Sequence, residues 1–407
     1  MPYLITAISY GTVSNLGDPS MSAPPRPPRA LAPDLARGAM LLLIALAHAH
    51  MYLSGHPTGF RAYATDGSPL DLLVTGLQVT FVDGRAMPMF AALFGYGFVQ
   101  IAGKQTGGWP HTRRLLRRRS RWLLAFGACH ALLLFFGDIL AAYGLAGLIL
   151  TGVLRWKDRS LLIFAATWLT VHATATTLTG LRIAEFGGPS GMTAATNPIT
   201  ALTDRLELWA TLTPFLLIEL IVPFLLGVWA ARHKVLTEPH HHIKALRTTA
   251  FAGITTATLG GLPLALLDAQ IWTGAPATLS VPAYVLHGIT GLAGGVGYAA
   301  TTGLIAARTT TPGPVLTALA SCGQRSMTCY LLQSAAFVTL FVPYAGNLGT
   351  TLGTAAASAI ATTTWLATVL LADNLRRANR QGPAETLLRR LTYDPQSSPT
   401  KNVVKTA

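Results

Sequence analysis

Ten apolar stretches leave this 407-residue chain few ways to fold; they lie near 35–54, 86–103, 121–137, 139–154, 160–180, 211–231, 248–267, 281–306, 327–343 and 351–372. A membrane-crossing helix needs about 17–25 apolar residues. In hydrocarbon the backbone must satisfy its own hydrogen bonds, which a helix does within one segment. The spacing therefore predicts an all-α, polytopic transmembrane bundle of about ten spans. Charged residues are 11% of the chain, against roughly 25% in soluble domains.

The thirty Lys and Arg residues cluster between these stretches. If the stretches alternate across a bilayer, 26 lie on the side of both termini; the other four are Arg61, Arg85, Arg182 and Arg205. Positive loops stay in the cytoplasm, so both termini are expected there, in a bacterial inner membrane. The net charge of +14 then reads as topology, and a nucleic-acid partner is not expected. Three segments follow: a disordered Pro-rich lead over 1–30, a transmembrane domain over 31–372 and a basic cytoplasmic tail over 373–407. The lead has no basic region before an apolar core, so a cleaved signal peptide is not expected, and Met21 is an alternative start. The segment 69–83 reads as an amphipathic stretch at the interface, and 182–208 as the largest external loop.

Within the first stretch, Asp34, Arg37 and His48 stand 3 and 11 residues apart. Those offsets are close to whole helical turns, so the three share one face. Ionisable groups along a membrane helix are costly and face a cavity rather than lipid. The competing account makes Asp34 and Arg37 a local ion pair at the helix entry and His48 an interhelical hydrogen-bond donor. His130 and Asp138 bracket the third stretch and its hairpin. Asp138 either orients a catalytic histidine or caps the next helix. Glu219, between Pro214 and Pro223, needs a partner or a proton at the bilayer centre; it suits a proton or cation relay, or a structural pair with His172 or His287. Tyr330 and Gln333 share a face in the ninth stretch and line a cavity or pack a neighbour. The Arg113–Arg121 cluster binds acyl-CoA phosphates or anionic lipid, or simply fixes orientation. Cys129, Cys322 and Cys329 read as small buried hydrophobes. No metal site, nucleotide-binding loop or hydrolase elbow is present in the sequence pattern.

Four segments together resemble the YeiB-like bacterial membrane proteins, whose shared part is called domain of unknown function 418. They are Asp34-Leu-Ala-Arg-Gly38, the run Phe81–Phe98, His130 with Gly137–Tyr143, and Gly323–Ser334 with Gly382-Pro-Ala-Glu385 and Leu391-Thr-Tyr393. The first helix also resembles that of the transmembrane acyltransferases of the acyltransferase-3 and heparan-glucosaminide types, which carry an Arg-x10-His pattern matched by Arg37 and His48. That resemblance implies a cytoplasmic acyl-CoA donor held through Arg37 and Asp34. His48, about 16 Å further along the helix, would act as the base on an extracytoplasmic glycan or small-molecule acceptor. The alternatives are a secondary transporter using Glu219 and buried histidines, and a non-catalytic membrane protein on the same fold.

Overall fold

A computed structural model describes residues 30–188, 193–273 and 277–393. The expected disordered lead and the end of the tail lie outside the described residues, apart from Ala30. Among the described residues there is no strand. The helices are α1 (Leu31–Ala49), α2 (Pro69–Phe81), α3 (Ala86–Ala102), α4 (Gly108–Leu133), α5 (Ile139–Leu150), α6 (Asp158–Phe186) and α7 (Pro198–Arg232). They continue with α8 (Ile243–Asp268), α9 (Ala277–Arg308), α10 (Pro314–Gln324), α11 (Ser326–Phe341), α12 (Thr354–Arg377) and α13 (Pro383–Thr392). Each apolar stretch falls on one of these helices. Those of α1, α6, α7, α8, α9 and α12 are long and apolar enough to cross a membrane unaided. Large apolar side chains such as Leu178 on α6, Phe251 and Leu259 on α8, and Leu370 on α12 point outward. That outward apolar surface is the arrangement a lipid environment favours.

Local chemistry sets the helix ends. The Asn197 side chain accepts from the Thr200 amide and Pro198 takes the first helical position, so α7 starts well inside the expected 182–208 loop. α6 runs on to Phe186 from the other side, which shortens that loop further. Asp138 caps α5 by accepting from the Ala141 amide at 2.6 Å. Cys129 corrects the buried reading given to all three cysteines: it is exposed, because the inner face of α4 is taken by Gly127, His130 and Ala131. The tail is not detached either. α12 continues to Arg377, and α13 folds back onto α4 and α11.

The segment 69–83 differs most from expectation. α2 does show one apolar outward face, Leu70, Leu73, Leu77 and Phe81. Its other face is buried, however, and the chain breaks at 82–85 before resuming as α3. Gly84 has φ +69°, a left-handed conformation that glycine adopts without strain. The backbone groups freed by the break are met by protein. The Gln78 carbonyl accepts from the Val82 and Asp83 amides, and the Phe81 carbonyl from the Tyr298 hydroxyl at 2.7 Å. His287 Nε2 lies 3.1 Å from the Val79 carbonyl. Arg85 is buried, donating to the Asp83 carbonyl and, at 2.6 Å, to the Ala257 carbonyl. Interrupted backbone is tolerated at such depth only where protein surrounds it.

Candidate functional site

The largest core cluster joins α1, α3, α4, α5, α7 and α11, and a cavity of about 430 Å³ opens within it. On α1 the lining residues are Arg37, Leu41 and Ile44. They are spaced four and three apart, which is one helical face. The next position on that face is His48. The α3 wall is Phe90, Leu93, Phe94, Gly97, Phe98 and Ile101, so the interior is apolar and aromatic.

One end of the cavity is basic. Arg37, Lys104, Arg119, Arg325 and Arg389 all border it, with Glu385 the one carboxylate in the lining. Glu385 is already engaged: it accepts from the Met327 amide at 2.7 Å, the Thr328 amide at 3.1 Å and the Thr328 hydroxyl. A carboxylate on the first amides of α11 is favoured by the helix dipole, and it straps α13 across the mouth. Arg118 adds a bond to the Leu391 carbonyl at 2.8 Å. Arg119 has no hydrogen-bond or ion-pair partner among the described residues, and its Nε is buried. The side chain is half-buried, and an unpaired guanidinium among other cations beside a cavity favours an anionic ligand.

Asp34 and Arg37 do pair locally, at 3.3 Å, and Asp34 also accepts from Gln324 at 3.0 Å. Asp34 is buried, while Arg37 reaches the cavity. Local pair and cavity residue therefore hold together for Arg37.

The other end of the cavity closes on Tyr143 and Tyr330. The Tyr143 hydroxyl is buried with no hydrogen bond among the described residues. The Tyr330 ring lies 4.8 Å from the His130 ring and 6.1 Å from the His48 ring. His48 stacks on Phe135 at 4.3 Å, and no residue hydrogen-bonds its ring nitrogens among the described residues. Behind Tyr330, His130 Nδ1 lies 2.8 Å from Asp138 Oδ1 and Nε2 lies 2.9 Å from Ser334 Oγ. An ionised carboxylate only accepts, so Nδ1 carries the proton and Nε2 accepts from the Ser334 hydroxyl. Asp138 thus caps α5 and orients His130 at once. α4 and α5 approach closely enough for this because residue 127 is Gly; a Cβ there would strike the Ala141 amide and the Asp138 carboxylate.

Two other candidates lie elsewhere. Gln333 turns to α12, reaching the Thr368 hydroxyl at 3.4 Å. Glu219 sits on α7 without a hydrogen bond or ion pair to His172 or His287 among the described residues. Of the two alternatives for Glu219, the structural pair with a histidine is not made among the described residues: His287 is occupied by Arg85 and the Val79 carbonyl. Ser334 and Arg119 were not singled out from sequence. Ser334 stood within the quoted Gly323–Ser334 segment, and Arg119 within the Arg113–Arg121 cluster.

The fold and this inward polar axis define a polytopic helical membrane protein with a cavity in its core. Residues 230–395 match the family described as "Protein of unknown function (DUF418)". The chain is also similar to "Uncharacterized protein YxaH" of Bacillus subtilis (strain 168). The two are 26% identical over 393 residues, covering 88% of this chain and 93% of that one. The resemblance read from Asp34 to Tyr393 is in line with both matches.

Proposed function

We propose that this protein is a membrane-embedded acyltransferase that takes an acyl group from cytoplasmic acyl-CoA and passes it to an extracytoplasmic glycan or small-molecule acceptor. The observation that carries the reading is one continuous arrangement. A cavity with a basic mouth and apolar walls ends on Tyr330, whose ring touches both His48 and His130. Arg37 and Arg119 suit the donor's phosphates, and the apolar walls suit its pantetheine and acyl chain. The volume lies within the range of small-molecule sites, about 300–1,000 Å³. His48, with open ring nitrogens, suits the role of base on the acceptor hydroxyl or amine. Glu219, on which a transport reading rests, does not line this cavity.

Acetyl-CoA and palmitoyl-CoA titrated onto the purified full-length protein test the first step. Wild type binds one of them, and Arg37→Ala binds it at least tenfold more weakly. Failure of wild type to bind either removes the reading.

A further inference from the structure

We infer that Ser334 is an acyl-accepting nucleophile, so that transfer proceeds through an ester on the protein rather than directly from donor to acceptor. The inference rests on the acyltransferase reading and specifies its chemistry. Three observations support it. The Ser334 hydroxyl lies 2.9 Å from His130 Nε2 and has no other hydrogen-bond partner among the described residues. His130 Nδ1 lies 2.8 Å from Asp138, whose side chain is fully buried. A nucleophile within hydrogen-bond reach of a base, with the base held by a third group, is the arrangement of covalent catalysis. Lastly, Ser334 follows Tyr330 by four residues on α11, so the hydroxyl is one turn beyond the closed end of the cavity. A donor entering from the basic mouth meets the Tyr330 ring, and a change of its rotamer brings the acyl carbon to Ser334.

The step balances without a further reactant. Ser334 Oγ bonds to the thioester carbonyl carbon and its proton moves to His130 Nε2. The carbon–sulfur bond breaks, and the thiolate leaves toward the basic mouth, where it takes a proton from water. The His130 imidazolium stays beside the Asp138 carboxylate while the ester exists. The acceptor oxygen or nitrogen then attacks the ester carbonyl, with its proton going to His48 and on to water. The bond to Ser334 breaks, and His130 returns its proton to Oγ. The Tyr143 hydroxyl, which has no partner among the described residues and lines the same end of the cavity, is a donor available to the oxyanion in both halves.

The test incubates the purified full-length protein with radiolabelled acetyl-CoA or palmitoyl-CoA and no acceptor. Wild type is expected to release thiol in an amount matching the protein and to carry the label at Ser334, as located by peptide mass spectrometry. Ser334→Ala is expected to bind donor like wild type and to carry no label. Ser334→Cys keeps the size of the side chain and carries the label as a thioester, which neutral hydroxylamine removes while the wild-type ester survives. Donor binding and transfer to acceptor with no label on wild type, or wild-type transfer rates in Ser334→Ala, would overturn the inference and leave the acyltransferase reading in place. No donor binding by wild type overturns both.

Discussion

The two ends of the polar interior differ in whether every arginine is engaged by the protein. Around the break between α2 and α3, cations are locked. Arg61 pairs with Asp83 at 3.1 Å, and its backbone amide donates to Asp268 at 2.9 Å. Arg85 is enclosed and bonded to two carbonyls. At the mouth of the cavity Arg37 and Arg325 are engaged too, but Arg119 has no partner among the described residues and Lys104 is exposed. A charge that the protein neutralises itself is part of the fold. A charge left open beside a cavity is an invitation to a ligand of opposite sign.

Substitution should separate these roles. The largest effect is expected from Asp138→Asn, read by acyl transfer: Asn caps a helix as well as Asp, so the protein stays folded while transfer falls by roughly 100- to 10,000-fold with the loss of the oriented base. Arg85→Ala strips the break of its clamp and should cost about 3–5 kcal/mol, seen as loss of monodisperse protein after extraction. Arg119→Ala should do the reverse of Arg85→Ala. Its thermal unfolding shifts by less than about 1 kcal/mol, while donor binding weakens by roughly tenfold or more, in keeping with about 1.5–3 kcal/mol for a hydrogen bond to a charged group. Equal losses of stability in the two arginine variants would erase the contrast. The smallest effect is expected from Glu385→Ala, about 1 kcal/mol by analogy with a lost helix cap, confined to faster amide exchange over α13.

Much of the fold was legible because apolar run length alone places helices in a membrane. The face of α1 was legible too, since Arg37 and His48 repeat with the helical turn and the residues between them line the cavity. His130 and Asp138 are eight residues apart across one hairpin, so their meeting could be anticipated. Ser334 is 204 residues from His130, and helix periodicity cannot say which faces of distant helices meet. Arg119 was hidden by its neighbours: among the six arginines of Arg113–Arg121, orientation in the membrane explains the cluster and masks the one member that lines the cavity. The break after α2 had a signal in Asp83-Gly84-Arg85, a turn-forming pair followed by a charge, but an amphipathic reading of 69–83 accounted for the same residues.

The clamp on the α2–α3 break also sets an order of assembly. Arg85 closes onto a carbonyl 172 residues later in the chain, and the Phe81 carbonyl waits for a tyrosine 217 residues later. At about 5–20 residues per second of synthesis, the first third of the protein spends on the order of ten seconds or more in the membrane before α8 and α9 arrive. During that interval a half-length helix and a bare guanidinium have no permanent neighbours. The N-terminal third is therefore a client of whatever shelters it during insertion, and its maturation is a late event governed by the middle of the chain.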